Sequence, residues 1–408
     1  MKRYFIFAAL VALVMTGCNN PAKSGFPELD AWAKTAYDNK LNIIGYPCDQ
    51  YVELQEFYEW YTANKLPTVS FNNVGDPFAG DGVIQVSALK YEREVLNWFA
   101  PYYGYEPGQF WGIVSNSGTD GNNHGIYFGV NYLCNKTGKM PIFYVSDEAH
   151  YSNMRLADLQ NLDICLIPSD TMGRMIPEEL EKRINPNRPC LIVYAMGSTM
   201  KGAIDDQVAL NAVLAKFPKM EVYRHVDAAL FGGYLPFTEY RDLLNQKIMG
   251  YQSIAISAHK FFGSDEPAGL FLTSMDVYNM QNRYDIPYLN RNMKMINCSR
   301  PTQPTLKFWW LIHKVGEARW SEQANAMLAH TEYFNQRLNE MGYPHWINVL
   351  SNTIVLKRPC DAIIQKYNLA CGYDAKMGGD IVHIVVMQHV DEALIDRFIE
   401  DLKKDQQK

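Results

Sequence analysis

The sequence predicts an α/β fold with a mostly parallel central sheet, followed by a smaller C-terminal α+β lobe. Three observations predict it. From Trp111 to about Leu272, short β-type runs alternate with helical stretches, the pattern of strand–helix–strand units. Polar and ionisable residues collect just after several of those runs, where a parallel sheet would present one rim. The chain is also long enough, at 408 residues, to bury a large core divided between two lobes.

The first residues read as a targeting segment. Met1-Lys2-Arg3 is followed by an almost wholly apolar run from Tyr4 to Met15 and then by Thr16-Gly17-Cys18. The run is too short to span a bilayer comfortably and has the layout of a signal peptide. Small residues ahead of a cysteine resemble a lipobox, although Met15 stands where leucine is commoner. On this reading residues 1–17 are a lipoprotein signal peptide and Cys18 is lipidated. Asn19 to about Ser24 is then a polar tether, and the protein is lipid-anchored in a bacterial envelope. The other reading is a short uncleaved anchor or a misplaced start, and a cytoplasmic protein if the signal does not function.

The expected organisation assigns residues 18–75 to the tether and an N-terminal helical segment. Residues 76–280 form the large α/β domain and 281–408 the small α+β domain. From about Phe26 to Ala63, apolar and aromatic residues fall at helical spacing, interrupted at Gly45-Tyr46-Pro47, and a turn-rich stretch follows from Val69 to Phe78. Ala88 to Phe99 is an amphipathic helix with Leu89, Val95, Leu96 and Phe99 on one side. The β-type runs are Ile142–Val145, Ile164–Ile167, Leu191–Tyr194, Val222–Val226, Ile254–Ile256 and Gly269–Leu272, with helices at Pro177–Arg183 and Gln207–Ala215 between them. Tyr284 to Pro304 shows little periodicity and reads as a loop. A long helix around Leu306–Leu328 follows, then β-like runs at His345–Leu356 and Asp380–Met387. The last helix carries Leu394, Ile395, Phe398 and Leu402 on one face.

A net charge of −6 and the lack of any Lys/Arg run argue against nucleic acid as a partner and favour a small-molecule substrate. Beyond Cys18 there are seven cysteines, an odd number with no Cys-x-x-Cys pair, which speaks against a zinc site or a dense disulfide framework.

The chemistry gathers after the β-runs. Ile254-Ala255-Ile256 leads to Ser257, His259 and Lys260; the run at Val222 ends at Asp227, with Ala228-Ala229 beyond it. His150 follows the run at Ile142, and Ser198 and Thr199 follow the run at Leu191. A lysine there is either a side chain reaching past the strand end to water or an amine holding an aldehyde cofactor. Phe110 to Asn122 reads as a loop leading into a helix, where Ser117, Gly118 and Thr119 offer hydroxyls and backbone N–H groups to a phosphate, or simply an N-cap. Taken together, a lysine, an aspartate, a histidine and a phosphate cradle at one sheet rim describe a site for pyridoxal 5′-phosphate (PLP). There Asp227 would keep the pyridine nitrogen protonated, and His150 and Ala229 would flank the ring.

At these residues the chain resembles the group II PLP-dependent amino-acid decarboxylases of fold type I, closest to the bacterial histidine decarboxylase and plant serine decarboxylase branch. The resemblance is carried by Asn72-Asn73-Val74-Gly75-Asp76-Pro77-Phe78, the Trp111–Asn122 stretch, His150-Tyr151-Ser152, Gly197 to Asp206, His225-Val226-Asp227-Ala228-Ala229-Leu230 and Ser257-Ala258-His259-Lys260. It implies that Lys260 binds PLP, that His150 stacks on it and that Asp227 pairs with its ring nitrogen. It further implies that Ser117, Gly118, Thr119, Ser257 and His259 serve the phosphate, and Ser198 or Thr199 the ring hydroxyl. A homodimer or larger assembly is implied, with the site at the interface and Ser299-Arg300 near the partner's cofactor. Tyr288 falls where the family places a tyrosine on a mobile loop, and a proton-donor role follows from that match. Decarboxylation of L-histidine to histamine is the leading expectation, with L-serine or another amino acid next. A surface-tethered, non-catalytic protein of the same fold is the alternative. The chain departs from histidine decarboxylases at Cys48-Asp49 and at Asp265-Glu266, an acidic pair that would suit a cationic group or face solvent.

Overall fold

The computed structural model describes residues 23–289 and 291–407. The expected signal peptide and Cys18 lie outside the described residues. Those up to Leu41 form one compact unit and those from Asn42 a second. The first carries helix α1 (Pro27–Asn39), which buries no residue. The second holds both sheets and begins with helix α2 (Gln55–Ala63), the short strand β1 (Asn73–Val74) and helix α3 (Leu89–Phe99).

The large sheet contains β2 (Phe110–Ser115), β3 (Ile142–Ser146), β4 (Asp163–Ile167), β5 (Cys190–Ala195), β6 (Val222–Asp227), β7 (Ser253–Ser257) and β8 (Gly269–Ser274), in the order β2-β8-β7-β6-β5-β3-β4. Only β8 runs against its neighbours; the other pairs are parallel. The six predicted runs are all strands, extended by one or two residues; those inside the sheet are apolar enough to be buried on both faces, while β4, at the sheet edge, leaves Ile164 and Leu166 exposed. One stretch differs from expectation. Phe110–Ser115, read as loop, is a fully buried strand, and only Asn116 and Ser117 link it to helix α4 (Gly118–Thr137). The helix after β3 is α5 (Tyr151–Leu159).

Helix α4 sits unusually close to the sheet. Its glycines at 118, 121, 125 and 129 recur every three or four residues and so share a face. A Cβ on them would lie 2.3 Å from Ser257 Oγ, 2.9 Å from Ala255 Cβ, 2.3 Å from the His225 ring and 2.7 Å from the Tyr223 ring. Any larger residue would push the helix off β6 and β7, and with it the amide-rich N-terminus that faces the rim.

The stretch read as a loop from Tyr284 contains the antiparallel hairpin β9 (Tyr284–Ile286) and β10 (Arg291–Met293), then β11 (Ser299–Arg300), which pairs with β1. Arg300 is buried and paired with Glu92 of α3 at 2.7 Å, and also donates to the Gly75 carbonyl at 3.2 Å. The expected long helix is two, Gln303–Lys314 and Gly316–Glu340. The break falls at Gly316, whose φ of +71° no right-handed helix continues through. The small sheet has the antiparallel order β12 (His345–Ile347), β13 (Thr353–Lys357), β15 (Gly379–Val385), β14 (Ala370–Asp374). Strand β14 escaped the sequence reading because, on the sheet edge, it has no apolar run.

Two buried polar struts join the small sheet to the rest. Lys201 is almost wholly buried between Glu148, at 2.6 Å, and Asp374. Burial alone would lower its pKa, but the two carboxylates hold it above the usual lysine value. His383 of β15 bonds the Gly45 carbonyl through Nε2 at 3.0 Å and contacts the Met200 carbonyl through Nδ1 at 3.2 Å. The seven cysteines among the described residues are all free thiols.

Candidate active site

A cavity of about 530 Å³ opens at the carboxyl ends of β3, β5, β6 and β7. Ser117, Gly118, Thr119, His150, Ser198, Thr199, Asp227, Ala229, Ser257, His259 and Lys260 all line it. Residues separated by up to 143 positions thus converge where the α/β topology places ligands. Tyr288 is the exception. It lies in the β9–β10 hairpin, its ring is 81% exposed, and it does not line the cavity of its own chain.

Lys260 lies in the turn just after β7. Its amine has no hydrogen-bond or ion-pair partner among the described residues. Burial lowers its pKa below the usual lysine value, against the attraction of Asp227 and Cys48. A greater share of the amine is therefore neutral and nucleophilic than on a solvated lysine.

Asp227, the last residue of β6, is fixed from two sides. Its Oδ2 accepts from Asn122 Nδ2 at 2.9 Å and from Asn153 Nδ2 at 2.8 Å, and Oδ1 accepts from the Ala229 N–H at 3.3 Å. Neither amide brings charge, so the negative charge of the carboxylate stays available to a cation in the cavity. The sequence reading missed both asparagines. Asn122 was legible in principle, since it lies one helical turn beyond Gly118; Asn153 gave no local signal.

His150 caps helix α5. Its Nδ1 accepts from the Ser152 N–H at 3.3 Å and meets Ser152 Oγ at 2.7 Å, which leaves the proton on Nε2. Burial depresses its pKa, with Asp227 opposing, so the ring is a neutral plate of fixed orientation.

The N-terminus of α4 faces the cavity with Ser117, Gly118 and Thr119. Ser117 accepts the Asp120 N–H at 3.2 Å as the N-cap. Gly118 leaves its amide open beside Ser257, where a side chain would collide. His259 turns Nδ1 toward the Ala268 carbonyl at 3.2 Å, and burial lowers its pKa, so a bound anion would favour its second proton on Nε2.

These residues fit PLP: an amine for the aldehyde, a held carboxylate for the ring nitrogen, a neutral ring to flank it and a helix N-terminus for the phosphate. The fold and site together define a PLP-dependent enzyme of fold type I. The pyridoxal-dependent decarboxylase conserved domain matches residues 134–355, more than half of the chain. A histidine decarboxylase from Solanum lycopersicum is 30% identical over 395 residues, covering 94% of this chain and 90% of that protein. Serine decarboxylase 1 from Oryza sativa subsp. japonica is 30% identical over 85% of this chain and 70% of its own length. Among solved structures, L-methionine decarboxylase from Streptomyces sp. 590 superposes with a TM-score of 0.80 at 19% identity, covering 92% of this chain and 94% of that one. The chain belongs to the pyridoxal-dependent decarboxylase family, in group II, and is a PLP-dependent amino-acid decarboxylase.

The acidic pair Asp265-Glu266 does not reach the cavity. Lys307, with only 2% of its side chain exposed, donates to Asp265 Oδ1 at 2.7 Å and Glu266 Oε1 at 2.9 Å, and Tyr58 also bonds Asp265. A substrate cation would have to displace that lysine. The double variant Asp265→Asn/Glu266→Gln is therefore expected to leave the ratio of kcat/KM between cationic and neutral amino acids within about threefold of wild type. Its melting temperature should fall, because Lys307 becomes a buried, unpaired charge. A changed substrate ratio with unchanged stability would place the pair in the pocket instead.

Proposed function

We propose that the enzyme converts L-histidine to histamine and carbon dioxide, with L-serine as the second reading. The observation that carries the first is the character of the cavity walls. Beyond the cofactor residues they offer Tyr46, Cys48, Thr353 and His383, and among the described residues no carboxylate but Asp227, which two amides already hold. Such walls suit a neutral side chain with hydrogen-bonding atoms, such as an imidazole, and leave a lysine or arginine side chain without a counter-charge. The relatives named histidine decarboxylase support this reading; those named serine decarboxylase support the second.

The residue roles we assign are these. Lys260 would supply the amine that holds the cofactor through its aldehyde. When bound, PLP supplies the electron sink for the breaking bond to the carboxylate. Asp227 holds a proton on the ring nitrogen, His150 and Ala229 fix the ring plane, and Ser198 or Thr199 meets the ring hydroxyl. Ser117, Gly118, Thr119, Ser257 and His259 take the phosphate. Orientation of the scissile bond and exclusion of water are the protein's share of the rate. We place Tyr288 as the proton donor across a homodimer interface, since its exposed ring needs a second copy's cavity to act on. Lipidation at Cys18 and an envelope location complete the proposal; both rest on the N-terminal sequence.

A panel of amino acids scored for carbon dioxide and for amine tests the substrate. Histidine should give the highest kcat/KM, with one equivalent of histamine per carbon dioxide. A preference for serine would replace the first reading with the second, and a preference for lysine or arginine would overturn both.

A further inference from the structure

Behind Asp227 runs a buried chain of hydrogen bonds that the reaction described above does not use. Asn122 Oδ1 meets His225 Nε2 at 2.9 Å, His225 Nδ1 meets Ser253 Oγ at 2.8 Å, and the Tyr223 hydroxyl donates to Ser253 Oγ at 2.8 Å. His225, Ser253 and Tyr223 are fully buried, and Asn122 nearly so. The direction of every link is dictated from one end. A carboxylate only accepts, so Asn122 must point its NH₂ at Asp227 and its oxygen at His225. His225 must then carry its proton on Nε2. Its Nδ1 accepts the Ser253 hydroxyl proton, and Ser253 in turn accepts from Tyr223. The chain is a one-way series of donors aimed at one carboxylate, and such series strengthen each member in a low-dielectric interior.

The fold makes room for this ring on purpose-shaped ground. Gly125 of α4 lies against it, where a Cβ would come within 2.3 Å of ring atoms. Burial also pushes the His225 pKa down to about 4, with Asp227 pulling the other way, so the ring stays neutral at working pH and brings no charge to cancel that of Asp227.

We propose that His225 is a positioning residue for the cofactor: a neutral ring, protonated on Nε2, that locks the Asn122 amide and thereby keeps the Asp227 carboxylate turned to the cavity. The assignment rests on the PLP reading only for what Asp227 faces. Selective ¹⁵N-histidine NMR of the PLP-free wild-type protein, with the His225 signals identified by their loss in His225→Gln, reads the tautomer directly. Protonated Nε2 and bare Nδ1 at neutral pH are expected; a ring protonated on Nδ1, or on both nitrogens, overturns the proposal. In the loaded enzyme, His225→Leu should weaken PLP binding and lower kcat by roughly 10- to 100-fold, the usual cost of losing an outer-sphere partner, with KM little changed. His225→Gln, which keeps an N–H donor for Asn122, should recover most of both. Equal losses in the two variants would reduce His225 to packing. If wild type binds no PLP, the functional reading falls, while the tautomer measured without cofactor still decides the hydrogen-bond chain.

Discussion

Lys260→Ala loses the visible absorption of bound PLP and releases carbon dioxide at least about a thousandfold more slowly than wild type. Among the described residues Lys260 is the only lysine lining the cavity. It therefore both retains the cofactor and gives it up to the substrate, and neighbouring side chains offer no substitute: Cys48 is a thiol and His259 a ring turned to the Ala268 carbonyl. Burial lowers the pKa of the Lys260 amine, so its charged form is disfavoured where it lies and the folded protein should not be destabilised by the loss. Absorbance spectroscopy after incubation with PLP, gel filtration and a carbon dioxide assay together check it. A variant that stays coloured and active would mean that another amine holds the cofactor.

Asp227→Asn is expected to keep the cofactor and lose the chemistry. Lys260 and the α4 cradle remain, so the protein should still take up PLP, though more weakly. The pyridine nitrogen loses its anionic partner. An ion pair at about 4 Å is worth roughly 4 kcal/mol at an effective dielectric of about 20, which translates to a fall in kcat of about a thousandfold. The new NH₂ would also face the amides of Asn122 and Asn153, two donors that a carboxylate satisfied and an amide meets only in part. Steady-state kinetics beside a PLP-binding titration separates the two effects. Near-normal kcat would show that the ring nitrogen needs no charge from this residue.

Much of the large domain was legible because its signals are local. The runs at Ile142, Leu191 and Val222 are apolar, short and followed by polar residues, and a parallel sheet turns that order into a lined rim. Lys260, Asp227 and His150 were found together for that reason. Contacts between distant segments left no such trace. Nothing near Asp265 announces Lys307, 42 positions away, so the acidic pair read as open when it is spent. Glu92 sits on the apolar face of α3 as an apparent exception, explained by Arg300, the Val114 N–H and the Asn73 amide that donate to it. His383, Thr353 and Ala370 line the cavity from strands whose own sequence says nothing of a ligand. Tyr288 marks a different boundary: it is exposed and does not line the cavity of its own chain, and the role proposed for it calls on a second copy.

The two struts from the small sheet carry a consequence for how substrate is admitted. Lys201, clamped between Glu148 and Asp374, and His383, set between the Gly45 and Met200 carbonyls, tie the small sheet to the segments it packs against through a buried lysine and a buried ring. Swinging the lobes apart would strand a charge and several bonding groups at once, which costs several kcal/mol. The entrance is therefore a fixed gauge rather than a jaw. Selection among amino acids falls to the width and polarity of a preformed passage, so differences between good and poor substrates should surface in how fast they enter and leave.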